Sequence, residues 1–177
     1  MGECTWKKNV TSITEYLAKR AYEGDAESAY KLGLLYYKSG VYDQIYGIAA
    51  ICFLYAANLG HIHAALKLAG MLRKGLGIKK NIRTALKIYR CFAEQGNAIA
   101  QYCMGNMYLS GRGVKANMRK AKYYFEKAAA QQHLKATCIF AAIVINGSNV
   151  SQDEVEKTLD YLRMAAKLGF CAAHKIL

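Results

Sequence analysis

Residues 97–132 read NAIAQYCMGNMYLSGRGVKANMRKAKYYFEKAAAQQ, and this stretch is the clearest copy of a pattern that recurs along most of the chain. Apolar and small residues recur at helical spacing on both sides of Gly111-Arg112-Gly113, which predicts two helices joined by a glycine turn. A glycine suited to closing the second helix recurs every 36 residues, at Gly24, Gly60 and Gly96; Gln132 takes the next place and Gly169 follows after 37 residues. A period of this length indicates a helical repeat protein.

Shifting the chain by one period aligns further positions, which we call columns. Two columns hold small residues, at Gly33, Ala69, Gly105 and Ala141 and at Ala21, Ala57, Ala93, Ala129 and Ala166. Two others hold large apolar residues, at Leu32, Leu68, Met104 and Phe140 and at Phe53, Tyr89, Phe125 and Leu162. Small residues let neighbouring helices approach closely, and large ones fill the space beside them. The columns therefore predict the helix contacts.

The segment GNMYLSGRGVKANMRKAKYYFEKAAAQ, residues 105–131, resembles a Sel1-like repeat, a relative of the tetratricopeptide repeat. The resemblance implies an all-α fold: an α-solenoid of antiparallel helix pairs in about four 36-residue repeats, curved into a right-handed superhelix, which mostly serves as an interaction scaffold. Repeat one has Ser39-Gly40 in place of the Gly-x-Gly turn, and repeat four has Gly147-Ser148-Asn149. Asn81 and Asn117 stand where the family often has Asp, which leaves open whether the turn interaction of that Asp is kept.

The register divides the chain into repeats that we expect to form one domain. Residues 1–24 hold a loose leader, to about residue 10, and a capping half-repeat helix that begins after Thr11 or Ser12. Repeats one to four span 25–60, 61–96, 97–132 and 133–170, with helices predicted at 26–38, 45–58, 62–74, 81–94, 98–110, 117–131, 134–146 and 152–167. Residues 171–177 match the start of a further helix. This apolar end either docks on a partner or a second copy, continues into more chain, or is a frayed end.

Composition excludes several classes of protein. Proline is absent, and no apolar run reaches the length of a membrane-spanning helix. The longest run, Ile139 to Ile145, fits a buried helix. The opening MGECTWKKNV lacks the apolar core of a signal peptide, so we expect a cytoplasmic protein. The six cysteines do not recur in register, which favours buried, reduced thiols over a disulfide framework.

No residue constellation indicates catalysis, a cofactor or a metal. The acidic residues Asp153, Glu154, Glu156 and Asp160 begin a helix, where carboxylates meet the helix dipole favourably. His61 and His63 resemble half of a metal site, but no second pair of ligands accompanies them. We therefore predict that the protein is not an enzyme and carries no metal.

Charge is the informative signal. The net charge is +13, and the segment from Ile45 to Phe125 carries 13 basic residues and one acidic residue, Glu94, so that 13 minus 1 gives +12. A solvated helical face normally mixes both signs to form pairs along the helix. This segment forgoes such pairs at the cost of self-repulsion, which favours a functional basic surface.

Helical geometry separates two candidate surfaces. The first, which we call the groove, lies on the concave side in the resembled family; it consists of Lys31, Lys38, His63, Lys67, Lys74, Ile99, Tyr102, Asn106 and Ile139. The groove is basic in its first half and apolar in its second. Its flanking aromatic residues, Tyr30 and Tyr37 among them, either contact a partner or pack between helices. The second, the basic ridge, lies on the turns between helices and consists of Lys79, Lys80, Arg83, Lys115, Arg119 and Lys120.

The sequence leaves three classes of function to compare. A scaffold would bind an acidic and apolar segment of another protein in the groove. Alternatively, the ridge would bind nucleic acid through its backbone, as a pI near 9.5 allows, although no base-reading motif is present. An enzyme is disfavoured, because the cysteine pattern of the resembled family's secreted β-lactam-binding members is missing. The sequence therefore predicts a protein partner first, and also allows self-association through the C-terminal end.

Overall fold

The structure of the protein is a computed structural model that describes residues 5–40, 42–147 and 151–169. Within these residues it consists of nine α-helices, which confirms the predicted all-α class. They are α1 Thr5–Tyr22, α2 Ala26–Ser39, α3 Asp43–Asn58, α4 Ile62–Lys74, α5 Ile82–Glu94, α6 Ala98–Ser110, α7 Met118–Ala130, α8 Leu134–Ile145 and α9 Gln152–Lys167. The second to ninth helices begin and end within two residues of the predicted positions.

The chain divides into two compact units, Met1–Ile88 and Tyr89–Leu177, and the division falls inside α5. In the first unit, α1 packs on α2, α2 on α3, and α3 on α4. In the second unit, α6 packs on α7, α7 on α8, and α8 on α9. Each unit is thus built from neighbours in the chain, as expected of helical repeats. The repeat boundaries and their union in one domain stay predictions.

The start of α1 differs from the prediction. The helix begins at Thr5, so a loose leader extending to about residue 10 is wrong for residues 5–10. Residues 5–22 contain no proline or glycine, so no helix-breaking residue prevents the helix from including residues 5–10. Further along α1, Leu17 and Ala21 are buried, as expected of a half-repeat that covers the next helix. The C-terminal residues 170–177 lie outside the described residues.

The glycine column behaves as one backbone motif, including the position where the sequence departs from it. Gly24, Gly60, Gly96 and Gly169 have φ values of 93°, 87°, 90° and 77°, and Gln132 has φ 62°. Gln132 N donates to Ala129 O at 2.8 Å, and His133 N donates to Ala128 O at 3.1 Å, the pair of bonds that closes a helix. Asn97 N donates to Phe92 O in the same way after Gly96. Gln132 therefore occupies a left-handed conformation that glycine adopts without strain.

The columns of small and large residues predict the close helix contacts correctly. A Cβ atom added to Gly33 would lie 2.7 Å from Cε1 of Phe53, and one added to Gly105 would lie 2.8 Å from Cε1 of Phe125. Both phenylalanine rings are completely buried. Ala141 and Leu162 occupy the same columns in repeat four and share one buried cluster. In repeat four, alanine thus accompanies the smaller leucine, whereas glycine accompanies the phenylalanine rings of repeats one and three.

A column of helix caps directly follows the glycine column. Asp25 Oδ1 accepts from Glu27 N at 3.1 Å, and Asn97 Oδ1 accepts from Ala100 N at 3.0 Å. Histidine is the cap residue in the other two repeats. His61 Nδ1 accepts from Ala64 N at 3.1 Å, and His133 Nδ1 accepts from Ala136 N at 3.2 Å. Each bond satisfies a backbone donor that the first helical turn leaves free.

The turns inside repeats two and three settle the question about Asn81 and Asn117. Asn81 Oδ1 accepts from Thr84 N at 3.0 Å, and Asn117 Oδ1 accepts from Lys120 N at 3.0 Å. The amide oxygen therefore supplies the cap that a carboxylate would supply. In the first of these turns Gly77 has φ 64°, and a Cβ there would overlap the backbone of Tyr46 and Gly47. Only glycine fits this turn against α3.

Candidate interaction surfaces

The groove residues of the first unit lie on two helices. Lys31 and Lys38 belong to α2, and His63, Lys67 and Lys74 belong to α4. All five side chains are exposed. They are therefore accessible to a partner, as a binding surface requires.

The charge of Lys31 is partly balanced within the first unit. Lys31 Nζ lies 3.3 Å from Oε1 of Glu27, and Oε2 of the same carboxylate lies 3.0 Å from Nε2 of His61. The hydrogen bond with His61, together with the neighbouring Lys31, holds the pKa of Glu27 below its ordinary value. Because His61 Nδ1 accepts from the backbone, its Nε2 is the nitrogen that carries the proton toward Glu27. His61 is thus a helix cap with an acidic partner.

The aromatic residues beside this surface pack against the core. Tyr30 stacks on His61 with ring centroids 4.3 Å apart, and its centroid is 5.9 Å from that of Phe53. Tyr37 meets Tyr46 edge-on at 5.6 Å. Lys67 Nζ lies 5.5 Å from the centroid of Tyr37, within reach of a cation–π contact. Of the two roles left open by the sequence, packing between helices accounts for these contacts.

The groove residues of the second unit lie on α6 and α8. Ile99 is 40% exposed, whereas Tyr102 is half-buried and stacks on His133 with centroids 4.6 Å apart. Asn106 Nδ2 donates to its own helix at Tyr102 O, 3.0 Å away. Ile139 is half-buried on α8. The Tyr102–His133 stack repeats the Tyr30–His61 stack of the first unit, so these rings are a structural feature of the repeat.

An apolar pocket opens on the second unit where three helices meet. Its volume is about 490 Å³, and it is lined by Leu109, Met118, Cys138, Ile139, Ala142, Ile143, Asn146 and Gly147. The interpretation of Ile139 to Ile145 as a buried run is therefore wrong in part. Ala142 is exposed and Ile145 is 63% exposed. Because one turn of a helix carries residues to all sides, a run this long cannot be buried by neighbours on one side alone.

The ridge residues are exposed in both units. Lys79, Lys80 and Arg83 are exposed around the turn before α5, and Lys115, Arg119 and Lys120 are exposed around the turn before α7. Lys120 Nζ lies 5.4 Å from the ring centroid of Tyr108. The side chains of each turn are thus available to an anionic partner.

One cation of the basic segment is neutralised from outside that segment. Lys122 Nζ lies 2.7 Å from Oε1 and 2.8 Å from Oε2 of Glu154, and both side chains are about one-third exposed. Asp153 and Glu154 lie in the first turn of α9, where the helix dipole favours carboxylates, as predicted. Glu154 has the additional role of joining α9 to α7, which its place in the sequence alone does not reveal.

The thiols of the described residues are more exposed than predicted. Cys52, Cys91, Cys103 and Cys138 are reduced, but Cys91 is exposed and the other three are only partly buried. Cys4 and Cys171 lie outside the described residues. Among the residues that the structure describes, no group of three or more His, Cys, Asp or Glu side chains is placed to hold a metal ion. In the same part of the chain, none of the helices combines the length and apolar character needed to cross a membrane.

Besides the pair of Glu154 with Lys122, two features were not predicted from the sequence. The capping role of His61 and His133 is visible only from their place directly after the glycine column, since histidine is not a usual cap residue. The pocket depends on the contact of α6, α7 and α8, and its only signal in the sequence is the unbroken apolar run of α8. Of the groove residues, Ile139 is the one that lines this pocket.

Comparison with known proteins gives one family. The model of the Sel1 repeat matches residues 26–61, 62–97, 98–133 and 141–170. Among curated proteins, protein sel-1 homolog 2 of Homo sapiens is 25% identical over 149 residues, which are 84% of this chain and 22% of that protein. Its counterpart in Mus musculus is 25% identical over 151 residues, again 22% of its length. The chain thus spans about a fifth of these relatives.

Two solved structures share the fold. A protective antigen present in uropathogenic Escherichia coli strains, described as an SLR fold, superposes with a TM-score of 0.77 at 31% identity, over 90% of this chain and 34% of that one. A Sel1 repeat protein from Oxalobacter formigenes superposes with a TM-score of 0.78 at 25% identity, over 90% of this chain and 65% of that one. Because the four matched segments cover most of its length, the chain belongs to the Sel1 repeat family.

Proposed function

We propose that the protein is a non-catalytic scaffold that binds an acidic and apolar segment of another protein. The Sel1 repeat family supports the general role, since stacked helix pairs offer extended surfaces to protein partners. In this proposal, carboxylates of the partner meet Lys31, Lys38, Lys67 and Lys74 in the first unit. Apolar groups of the partner meet Ile99 and Ile139 in the second unit.

The observation that carries the proposal is the exposed lysine row on α2 and α4. Lys38 and Lys74 lie in the last turns of their helices, and Lys67 lies two turns before Lys74. Among the described residues, none of these three is within ion-pair distance of a carboxylate, whereas Lys31 shares Glu27 with His61. Unpaired surface cations set the rate and specificity of association with an acidic partner.

The test is a combined charge reversal of Lys31, Lys67 and Lys74 to glutamate. We expect loss of partner binding with unchanged helical content, because all three side chains are exposed. A matched control reverses Lys19, Lys157 and Lys167, which are also exposed and lie on α1 and α9. Equal loss in both triple variants would point to net charge alone. Undiminished binding by the first variant would remove the groove assignment.

A second candidate, nucleic-acid binding, is favoured by the exposed cations of the two ridge turns. Binding that uses only the phosphate backbone weakens steeply as salt rises. Retention of nucleic acid at about 0.15 M salt and its release at about 0.5 M would favour this candidate over the scaffold. A cytoplasmic location and self-association through residues 171–177 stay predictions.

A further inference from the structure

The apolar pocket of the second unit lies among α6, α7 and α8. Leu109 stands in the last turn of α6, Met118 begins α7, and Ile139, Ala142 and Ile143 lie along α8. A volume of about 490 Å³ is within the usual range of ligand pockets, about 300–1,000 Å³.

The apolar residues around the pocket reach solvent. Leu109 is 40% exposed, Met118 is 57% exposed, and Ala142 is exposed on α8. The lining also includes the polar side chain of Asn146, whose Nδ2 donates to Ala142 O at 2.7 Å and leaves its amide oxygen as an acceptor. An apolar recess with a polar group at its edge suits one apolar side chain together with the backbone that carries it.

The chain around the pocket is basic. No acidic residue occurs between Asn97 and Phe125, and Lys115 and Arg119 stand on either side of Met118 in the sequence. Two nearby cations have partners, since Lys122 pairs with Glu154 and Lys120 lies over Tyr108. Among the described residues, Arg112, Lys115 and Arg119 have no carboxylate within ion-pair distance, and all three are exposed.

We propose that this pocket anchors an apolar side chain of a partner protein, in a segment where acidic residues flank the anchor and meet Arg112, Lys115 and Arg119. The proposal rests on the proposed scaffold function and assigns it a specific subsite. Charge complementarity selects the acidic segment, and apolar burial holds it. Met118 is unbranched and adaptable, so it can adjust to anchors of different shape.

A nucleic acid fits this place less well than a protein segment. Phosphates would satisfy the cations but leave the apolar lining without a matching group. A second copy of the chain carries the same net charge of +13, which opposes its approach to this basic surface. The occupant that satisfies both halves of the site is therefore an acidic peptide with a large apolar anchor.

The test uses a displayed library of random peptides, selected on the full-length protein. Ala142→Phe places a ring in the pocket from an exposed position, so it blocks the anchor without altering the core. Ala18→Phe is the matched control, an exposed alanine of a helix in the first unit that does not line the pocket. Arg119→Glu reverses the charge beside the pocket. Sedimentation of each variant reports the oligomeric state.

We expect the selected peptides to combine Asp or Glu with a large apolar residue. Their affinity should fall by about tenfold or more in the Ala142→Phe and Arg119→Glu variants and stay unchanged in the Ala18→Phe variant. Equal binding to wild type and Ala142→Phe would overturn the pocket assignment while leaving the scaffold function in place. Selection of basic peptides, or a dimer that Ala142→Phe dissociates, would also overturn it. Binding of nucleic acid with no peptide selected would overturn both proposals.

Discussion

The contact of Gly105 with Phe125 gives the sharpest stability prediction. A methyl group at residue 105 would lie 2.8 Å from Cε1 and 2.9 Å from Cδ1 and Cζ of the Phe125 ring. The ring has no exposed surface, so it cannot swing away, and overpacking of this kind costs about 1–3 kcal/mol. Alanine in a helix recovers about 1 kcal/mol relative to glycine. We therefore expect Gly105→Ala to lower the free energy of unfolding by about 1 kcal/mol.

Gly105→Ala should raise the free energy of unfolding, rather than lower it, once the side chain at residue 125 is smaller. Phe125→Leu alone leaves a cavity and should cost about 1–2 kcal/mol, less than truncation to alanine. In that background the methyl group that Gly105→Ala adds occupies the vacated space, as Ala141 does beside Leu162 in repeat four. The double variant should therefore be more stable than Phe125→Leu, with a coupling of about 1–2 kcal/mol between the two sites.

Urea unfolding followed by far-ultraviolet circular dichroism measures all four members of this cycle. Ala18→Gly, at an exposed position in α1, supplies the helix-propensity term without any packing change. Gly33 faces Phe53 in the first unit, so Gly33→Ala should lower the free energy of unfolding as Gly105→Ala does. If Gly105→Ala shifts stability equally with phenylalanine and with leucine at residue 125, the packing explanation of Gly33 and Gly105 is refuted.

Three further predictions concern single residues. Gln132→Gly should raise the free energy of unfolding by about 0.5–1 kcal/mol, because φ 62° strains glutamine but not glycine; a loss in thermal or urea unfolding would contradict this. His133→Asn should flatten the pH dependence of stability, because burial lowers the pKa of His133. In wild type, the stabilisation by neutral His133 is therefore complete above the unfolded-state pKa of about 6.5 and is lost as the pH falls through the folded-state pKa. Asn97 forms the same helix cap with a side chain that does not titrate. If the urea midpoint of the variant falls below about pH 6.5 as much as that of wild type, His133 is not the source of the pH dependence. Glu154→Gln should lower the free energy of unfolding by about 0.5–1 kcal/mol at low salt, because the ion pair with Lys122 is only partly exposed. The loss should be smaller at high salt, which screens the pair, and a loss that does not depend on salt would rule out the ion pair as its cause.

The sequence predicted most of the fold because the repeat places the same demand on the same residue in each copy. Gly33 and Gly105 indicated the close approach of phenylalanine rings, and Gly96 indicated the end of a helix. Gln132 shows the limit of this reasoning: hydrogen bonds from Gln132 N and His133 N hold the left-handed turn without glycine. The start of α1 could not be predicted from a cap residue, since the helix continues through Thr11 and Ser12.

The candidate surfaces were less predictable than the fold. Periodicity identified exposed positions such as Lys67 and Lys74, because exposure follows from the helical register. Periodicity did not identify contacts between residues that lie far apart in the sequence. Glu154 is 32 residues from Lys122, and the pocket combines Leu109, Met118 and Ile143 from three helices. Such contacts depend on side-chain directions across helices, which residue spacing within one helix does not determine.

We expect the exposed basic and apolar surfaces to bind another protein. The most direct measurement is a pull-down from lysate of the source cells with the full-length protein, with and without nuclease, at about 0.15 and about 0.5 M salt. The triple reversal of Lys31, Lys67 and Lys74 and its control on Lys19, Lys157 and Lys167 are run beside it. We expect one bound protein that is unaffected by nuclease, is retained by the control variant and is lost with the first variant. Nucleic acid as the sole bound component, released at the higher salt, would contradict protein binding by these surfaces.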